Sequence, residues 1–141
     1  MILLDTDHLT ALKYTDSEPF ARLRNRLLAA APELIGTTIV NVEEQMRGWL
    51  SAIAKERILV RQIAAYRELT DLFTFFANFN IISLSADSAE LFNGFRKSDV
   101  KIGTMDLKAA CIALANNALF LTANRRDIEK VPGFRFENWL E

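Results

Sequence analysis

Cysteine and histidine are almost missing from this chain of 141 residues, because Cys111 is its only cysteine and His8 its only histidine. This excludes a disulfide framework and any zinc site built from Cys and His ligands. Acid–base catalysis by histidine is also excluded unless His8 performs it alone. We expect Cys111, on an apolar helical face, to be a core residue and His8 to be a helix-surface or packing residue.

The chain also has no excess of positive charge and no long apolar run. The formal net charge is -1, so a nucleic-acid partner must be held by a local basic patch or through a metal ion. No apolar run approaches the roughly 18 residues needed to span a bilayer. The N-terminus lacks a basic region and meets an acid at position 5, unlike a signal peptide. We therefore expect no membrane partner and a cytoplasmic protein.

Glycine and proline number only five and three, and no linker or internal repeat divides the chain. Length and composition predict one globular domain over residues 1–141. Short apolar runs predict four buried strands: Ile2–Leu4, Leu34–Gly36 or Thr37, Ile81–Leu84, and Ala118–Leu121. Stretches with helical spacing separate them. This pattern predicts an α/β fold, with a small parallel sheet covered by helices on both faces.

Acidic residues follow several of the predicted strands, and another lies at the start of the helix that precedes the last predicted strand. The four of interest are Asp5, Glu44, Asp106 and Asp127. We place Glu44, with its neighbour Glu43, in the first turn of a helix. In a parallel sheet the ends that follow the strands lie on one edge, where ligand sites form. The four acids, far apart in sequence, are therefore predicted to converge on one pocket.

Helix capping offers a separate explanation for several of these acids. Caps are predicted at Asp7 before a helix beginning at His8, at Asn41 with Glu44, and at Asn124 with Asp127. Asp106 would simply complement a helix dipole. Asp5 is harder to explain in this way, because the better cap lies two residues later. Capping does not explain why four acids share one edge.

The sequence places no lysine where it would neutralise the negative charge of the carboxylates in the predicted pocket. Burying an uncompensated carboxylate is costly, so a partner or a cation is expected. Carboxylate oxygens hold hard divalent cations, and Mg²⁺ favours one or two carboxylates together with waters and substrate phosphate. Such a site fits phosphodiester hydrolysis, in which the metal activates water and neutralises charge on the leaving oxygen.

Four segments spanning the chain carry a family likeness: MILLDTDHL, VNVEEQMRG, IGTMDLKAACIALANNALFLTANRRD and VPGFRFENW. In this order they resemble the PIN-domain ribonucleases, and most closely the VapC-type toxins of bacterial toxin–antitoxin pairs. The resemblance implies a metal-dependent ribonuclease that uses Mg²⁺ or Mn²⁺ and inhibits translation or growth. It further implies an RNA substrate, a cognate antitoxin protein and a homodimer.

The resemblance also implies which residues form the site. The first aspartate of the family falls on Asp5 and a later one on Asp106. The glutamate of an E-L-x-x-G pattern falls on Glu44, because Gly48 lies four residues on. Gln45 stands where the family usually has leucine.

The fourth acidic position is open between two residues. Many relatives carry an acid where this chain has Asn124, whereas toxins of this type often have Asn there and an acid three residues later. That pattern assigns the role to Asp127. Thr104 and Thr122 are expected to hydrogen-bond site carboxylates or water; alternatively they are a helix cap and an ordinary strand end.

Basic residues near the predicted site are candidates for binding RNA phosphates. They are Arg47, Arg125 and Arg126. Arg47 has the alternative of pairing with Glu43 or Glu44 along its helix. Arg125 and Arg126 have the alternative of being ordinary surface residues.

Two other function classes stay open. A PIN-like module could bind RNA or a protein without cleaving, although Asp5, Glu44 and Asp106 are all present. A haloacid-dehalogenase-type phosphatase would use Asp5 as nucleophile and Asp7 as general acid. That family also needs a downstream lysine and a Gly-Asp motif, which the segment IGTMD lacks.

Overall fold

The computed structural model describes all 141 residues, and at its centre is a five-stranded parallel sheet in the order β3-β2-β1-β4-β5. The strands are β1 Ile2–Leu4, β2 Ile35–Thr38, β3 Asn80–Ile82, β4 Leu119–Leu121 and β5 Phe136–Glu137. The helices are α1 Thr6–Lys13, α2 Glu18–Ala29, α3 Ile39–Lys55, α4 Ile63–Phe76, α5 Ala86–Lys97, α6 Thr104–Ala115 and α7 Arg125–Ile128. A 3₁₀ turn, Leu59–Gln62, precedes α4. None of the helices is both long enough and apolar enough to traverse a bilayer.

The central strand β1 is buried on both faces, as its uninterrupted apolar sequence predicts. Ile2 and Leu4 join one apolar cluster with Leu9 of α1, whereas Leu3 joins another with Ile112 of α6. Because successive side chains of a strand point to opposite faces, helices cover the sheet on both sides. The predicted fold class is confirmed.

A third apolar cluster joins α6 to α5 and to the short helix α7. Leu107 and Cys111 of α6 pack there with Ile102 and Ile128, and partly buried side chains of α5 lie against them. Cys111 is fully buried, and burial raises the pKa of its thiol to about 11. The prediction that Cys111 is a core residue is confirmed.

Strand positions follow the sequence prediction closely, with one omission. The first strand is confirmed at both ends, and the other three predicted strands begin or end one or two residues away. The sequence does not predict β5, which is two residues long. It forms by parallel pairing with β4, of Phe120 with Phe136 and of Leu121 with Glu137. Such a short strand depends on a partner that is distant in sequence and has no periodicity of its own.

The strand order reverses next to β1. The chain runs from β1 through β2 to β3 toward one edge, and β4 and β5 then lie on the other side of β1. In open α/β sheets, ligands bind outside the carboxyl ends of the strands at such a switch point. Asp5 directly follows β1, and Thr122 directly follows β4.

Candidate active site

Asp5 leaves the end of β1 and caps α1. Its Oδ1 accepts a hydrogen bond from the backbone N–H of His8 at 2.9 Å and another from Nδ1 of the His8 ring at 2.8 Å. The residue is 8% exposed, and no hydrogen bond involves its Oδ2. The prediction that Asp7 caps a helix beginning at His8 is wrong, because α1 begins at Thr6. Asp5 is the only residue between strand and helix, so it takes the cap.

Glu44 lies in the second turn of α3, and the predictions that it starts or caps this helix are wrong. Strand β2 runs straight into α3, and Thr38, the last strand residue, caps the helix by accepting from the N–H of Asn41 at 3.1 Å. Glu44 is therefore free of any capping role. Its Oε1 accepts from Nδ2 of Asn41 at 3.4 Å, and the same Nδ2 donates to the hydroxyl of Thr6 at 3.3 Å.

Asp106 lies in the first turn of α6, as predicted, and Asn124 connects it to Asp127. Nδ2 of Asn124 donates to Oδ2 of Asp106 and to Oδ2 of Asp127, at 3.1 Å in both cases. Asn124 precedes α7, but its side chain accepts from no N–H of that helix. The predicted capping box is therefore wrong, because the amide faces two carboxylates instead.

The pKa of Glu44 shows that acids from three helices lie close enough to interact. Burial raises this pKa first, and the negative charges of Asp106, Asp5 and Asp7 raise it further. The nearby Thr6 hydroxyl lowers the pKa and so opposes the rise. Like charges disfavour ionisation of a neighbour, so these carboxylates are least stable when all of them are charged.

The pKa of Asp106 is also raised, mainly by burial and then by the charge of Asp127. Asp5 and Asp7 add smaller increases, and the hydrogen bond from Asn124 lowers the value. The four acids singled out in the sequence are thus brought together at the switch point of the sheet.

Asp127 has the opposite electrostatic balance. The hydrogen bond from Asn124 lowers its pKa most, and the charges of Lys130 and Arg126 lower it further. Nζ of Lys130 lies 3.5 Å from its Oδ1. Asp127 is therefore stabilised as an anion at the edge of the pocket, whereas Asp106 and Glu44 are not.

Comparison with known proteins gives a structural likeness. No protein-family model and no curated protein matches the sequence. A chain of VapBC2 from Rickettsia felis, bound to a DNA fragment from its promoter, is 26% identical with a TM-score of 0.69, over 99% of both chains. A chain of VapBC-1 from nontypeable Haemophilus influenzae is 18% identical in sequence, with a TM-score of 0.76, and the match covers 100% of both chains. A chain of a toxin–antitoxin complex from Klebsiella pneumoniae is 20% identical in sequence, with a TM-score of 0.67. That match covers 99% of this chain and 98% of the other. The chain has the fold of the VapC-type PIN-domain toxins.

The two threonines predicted to support the site, Thr104 and Thr122, have different surroundings. Thr122 is buried, and its Oγ1 accepts from the backbone N–H of Asn124 at 3.0 Å. This bond places the Asn124 amide between its two carboxylates. Thr104 instead accepts from Nη2 of Arg96 at 3.4 Å and makes no hydrogen bond to a site carboxylate.

The three arginines surround the site unequally. Arg47 pairs with Glu43 along α3, and Arg125 lies 3.4 Å from Glu129 along α7. Arg126 pairs with no acid, and its charge reaches Asp127. Of the three, Arg126 is the one whose charge is available to a bound anion beside the acids.

The acids of this VapC-type fold offer the oxygen donors that a hard divalent cation requires. No Lys or Arg pairs with Asp5, Glu44 or Asp106. As they stand, no three His, Cys, Asp or Glu side chains form a group able to hold a metal ion. Direct coordination by three of the acids would therefore require their side chains to turn toward one another. The donor chemistry fits, since a cation would offset both the burial and the neighbouring negative charges that raise the pKa of Glu44 and Asp106.

The sequence misses two polar neighbours of the VapC-type site. Asp7 interacts electrostatically with Glu44 and Asp106, and partial desolvation followed by the charge of Asp5 raises its own pKa. Asn41 is 3% exposed and bonds Glu44. Both residue types are good N-caps, so composition alone assigns them to capping. The one signal that could have corrected this is the short distance between each strand and its helix, because it makes Asp5 and Thr38 the caps and leaves Asp7 and Asn41 without that role.

Proposed function

We propose that this protein is a metal-dependent ribonuclease and the toxin of a toxin–antitoxin pair. The observation that supports this most strongly is the uncompensated group of Asp5, Glu44 and Asp106 at the switch point of the sheet. Burial raises the pKa of Glu44 and Asp106 most, and the charges of neighbouring acids raise it further. The matched solved structures include toxin–antitoxin complexes, which supports the role of a toxin.

We assign Asp5 and Asp106 as direct ligands of Mg²⁺ or Mn²⁺. Asp5 presents the unbonded Oδ2 of a carboxylate whose other oxygen is held by His8. Asp106 is half-buried among the other acids. Glu44 and Asp127 complete the acidic set, either directly or through water. When bound, the metal supplies an activated water and neutralises charge on the leaving oxygen of the phosphodiester.

The substrate we propose is RNA, held by its phosphates beside the acids. Arg126 is the best placed of the three candidate arginines, because no acid pairs with it. Arg125 is exposed next to it and pairs only along its own helix. The net charge of -1 supplies no general attraction, so local contacts and the cation carry the binding.

Growth arrest is the first test. Expression of this protein alone should stop cell growth, and Asp5→Asn should abolish the arrest. Asparagine caps a helix as well as aspartate does and still accepts from the N–H of His8, so the variant should fold. A variant that folds and stays fully toxic would contradict the assignment of Asp5 as a metal ligand.

Metal dependence is the second test. The purified protein should cleave RNA with Mg²⁺ or Mn²⁺ and stop with EDTA. Ca²⁺, which is larger and less demanding of octahedral geometry, should bind but support little cleavage. Full activity in EDTA would contradict a metal-dependent reaction. RNA binding without cleavage under all these conditions would instead favour the non-catalytic PIN-like module.

The proposed partners are a cognate antitoxin and a second copy of this chain, in the cytoplasm. A pocket of acids without Lys or Arg attracts a cationic side chain, so the antitoxin should place Arg or Lys among Asp5, Glu44 and Asp106. It would compete with the metal and block the path of RNA. An inhibitory antitoxin that binds wholly away from these three residues would show that inhibition is allosteric.

A further inference from the structure

His8 is completely buried and hydrogen-bonded at both ring nitrogens. Nδ1 lies 2.8 Å from Oδ1 of Asp5, and Nε2 lies 3.1 Å from the backbone nitrogen of Trp139. A backbone N–H can only donate, so Nε2 must accept and carries no proton. The ring proton therefore sits on Nδ1 and is donated to Asp5.

The partner of Nε2 is itself held firmly. The ring of Trp139 is covered by the guanidinium of Arg26 at 4.6 Å, and its Nε1 donates to Oε2 of Glu137 at 2.6 Å. Nε of Arg22 donates to the carbonyl of Leu140 at 2.7 Å. Two arginines of α2 thus fix the C-terminal segment that orients the His8 ring.

The consequence falls on the carboxylate of Asp5. Its Oδ1 receives two hydrogen bonds from one residue, the backbone N–H and the ring Nδ1–H of His8. Two donors on one oxygen restrict rotation of the carboxylate. Its Oδ2 takes part in no hydrogen bond and is left for a ligand, and the charge of the carboxylate acts on Glu44 and Asp106.

We propose that His8 is a positioning residue for Asp5, through which the C-terminal segment orders the metal site; this inference rests on the proposed function. Side chains that orient a ligand in this way typically contribute about 10–100-fold to metal affinity or activity.

Two substitutions separate the two hydrogen bonds of the ring. The amide of His8→Asn can occupy the place of Nδ1 and donate to Asp5, but leaves the N–H of Trp139 without an acceptor. The amide of His8→Gln can reach the place of Nε2 and accept from Trp139, but leaves Asp5 without the ring donor. Ile112→Val, a buried change in α6 that touches neither bond, controls for lost stability alone.

The affinity of each purified protein for Mn²⁺ is measured by calorimetry without RNA, and kcat and KM are measured separately. We expect His8→Gln to bind Mn²⁺ at least ~10-fold more weakly and to lose kcat with little change in KM. His8→Asn should stay within about 3-fold of the parent. In thermal unfolding with EDTA the order should reverse, with His8→Asn the less stable, because a buried N–H is left unpaired.

Equal Mn²⁺ affinity of His8→Gln and the parent would overturn the positioning role and leave the proposed function intact. Absence of Mn²⁺ binding by the parent would instead overturn the proposed function, and this inference with it. If neither variant folds, ¹⁵N spectra of the parent decide, since its single histidine is identified without ambiguity. We expect the Nδ1-protonated tautomer and a shift of that resonance on adding Mg²⁺. An Nε2-protonated ring, or a resonance that Mg²⁺ leaves unmoved, would overturn the proposal.

Discussion

Asn124 donates a hydrogen bond from Nδ2 to Oδ2 of Asp106 at 3.1 Å, across 18 residues of sequence. The same nitrogen donates to Asp127 at an equal distance. One neutral amide thus lies between two carboxylates and lowers the pKa of both. In the absence of a cation this amide is what moderates their repulsion.

Asn124→Asp should make the stability of the protein depend more on metal. The substitution replaces a shared donor by a third negative charge, so the thermal midpoint in EDTA should fall by several degrees at pH 7.5. The rise on adding Mn²⁺ should be larger than in the parent, because the cation then neutralises an additional charge. Differential scanning fluorimetry with and without Mn²⁺ measures both effects.

Asn93→Asp is the matched control, because Asn93 is exposed on α5 and away from the acids. It should change neither midpoint appreciably. If the two variants behave alike, the charge of residue 124 is irrelevant to the site, and the role given to its amide is mistaken.

The raised pKa values of Glu44 and Asp106 predict a definite pH dependence. Between their ordinary values of 4.5 and 3.8 and the raised values of the folded state, the folded protein binds more protons than the unfolded chain. The free energy of unfolding therefore falls as pH rises through this window. These two groups weaken the metal-free protein at neutral pH.

Glu44→Gln should accordingly raise the thermal midpoint by a few degrees in EDTA at pH 7, and the gain should shrink toward pH 4. The same variant should be stabilised less by Mn²⁺. Glu43→Gln is the control, since Glu43 forms a surface pair with Arg47 and contributes little. A gain at Glu43 equal to that at Glu44 would refute the electrostatic origin.

Much of this architecture is predictable from sequence because its signals are local. The apolar run Ile2–Leu4 is followed by Asp5. This is enough to predict β1 and to predict that an acidic residue lies at its carboxyl end. The starts of α1 and α3 are not predictable in the same way. Asp5 alone separates β1 from α1, and β2 runs directly into α3, so the extended residues Asp5 and Thr38 serve as the helix caps.

The remaining features depend on partners distant in sequence. Asn124 could have capped α7 by accepting from a free N–H of that helix, but its Nδ2 donates to Asp127 and to the distant Asp106 instead. His8 reads as one more helical position until Trp139, 131 residues later, brings a backbone N–H to its ring. Neither of these hydrogen bonds can be predicted from hydrophobic periodicity or from the spacing of motifs.

Gly36 and Gly48 should respond oppositely to alanine. A Cβ on Gly36 would overlap the carbonyl oxygen of Asn80 in β3, whereas one on Gly48 in α3 would meet nothing within 4 Å. We expect Gly36→Ala to cost about 3 kcal/mol or more, because backbone must shift. Gly48→Ala should gain about 0.5–1 kcal/mol from helix propensity. Urea unfolding measures both, and equal effects would contradict the close pairing of β2 with β3.

Cleavage rates should rank the acids. Asp106→Asn removes a charge from a group that lies half-buried among like charges, where a directly bound cation is most needed. We expect at least ~100-fold loss in kcat, in line with the several kcal/mol that metal catalysis supplies. Asp127→Asn should lose less, because Lys130 and Arg126 already compensate Asp127 and an amide there can still orient a water. Asn124→Ala should lose less again, since it removes a positioning bond and no ligand charge.

The ranking is measured on one RNA at saturating Mg²⁺, with thermal midpoints confirming that each variant is folded. Arg125→Gln, a charge change in the same helix as Asp127, controls for disturbance of α7. Its effect should appear in KM if Arg125 binds phosphate, and kcat should stay within a few-fold of the parent. If Asp127→Asn were as inactive as Asp106→Asn while melting normally, Asp127 would be a direct ligand despite its compensating cations. The carboxylate at the edge of the pocket would then have to turn inward, away from Lys130, when the metal binds.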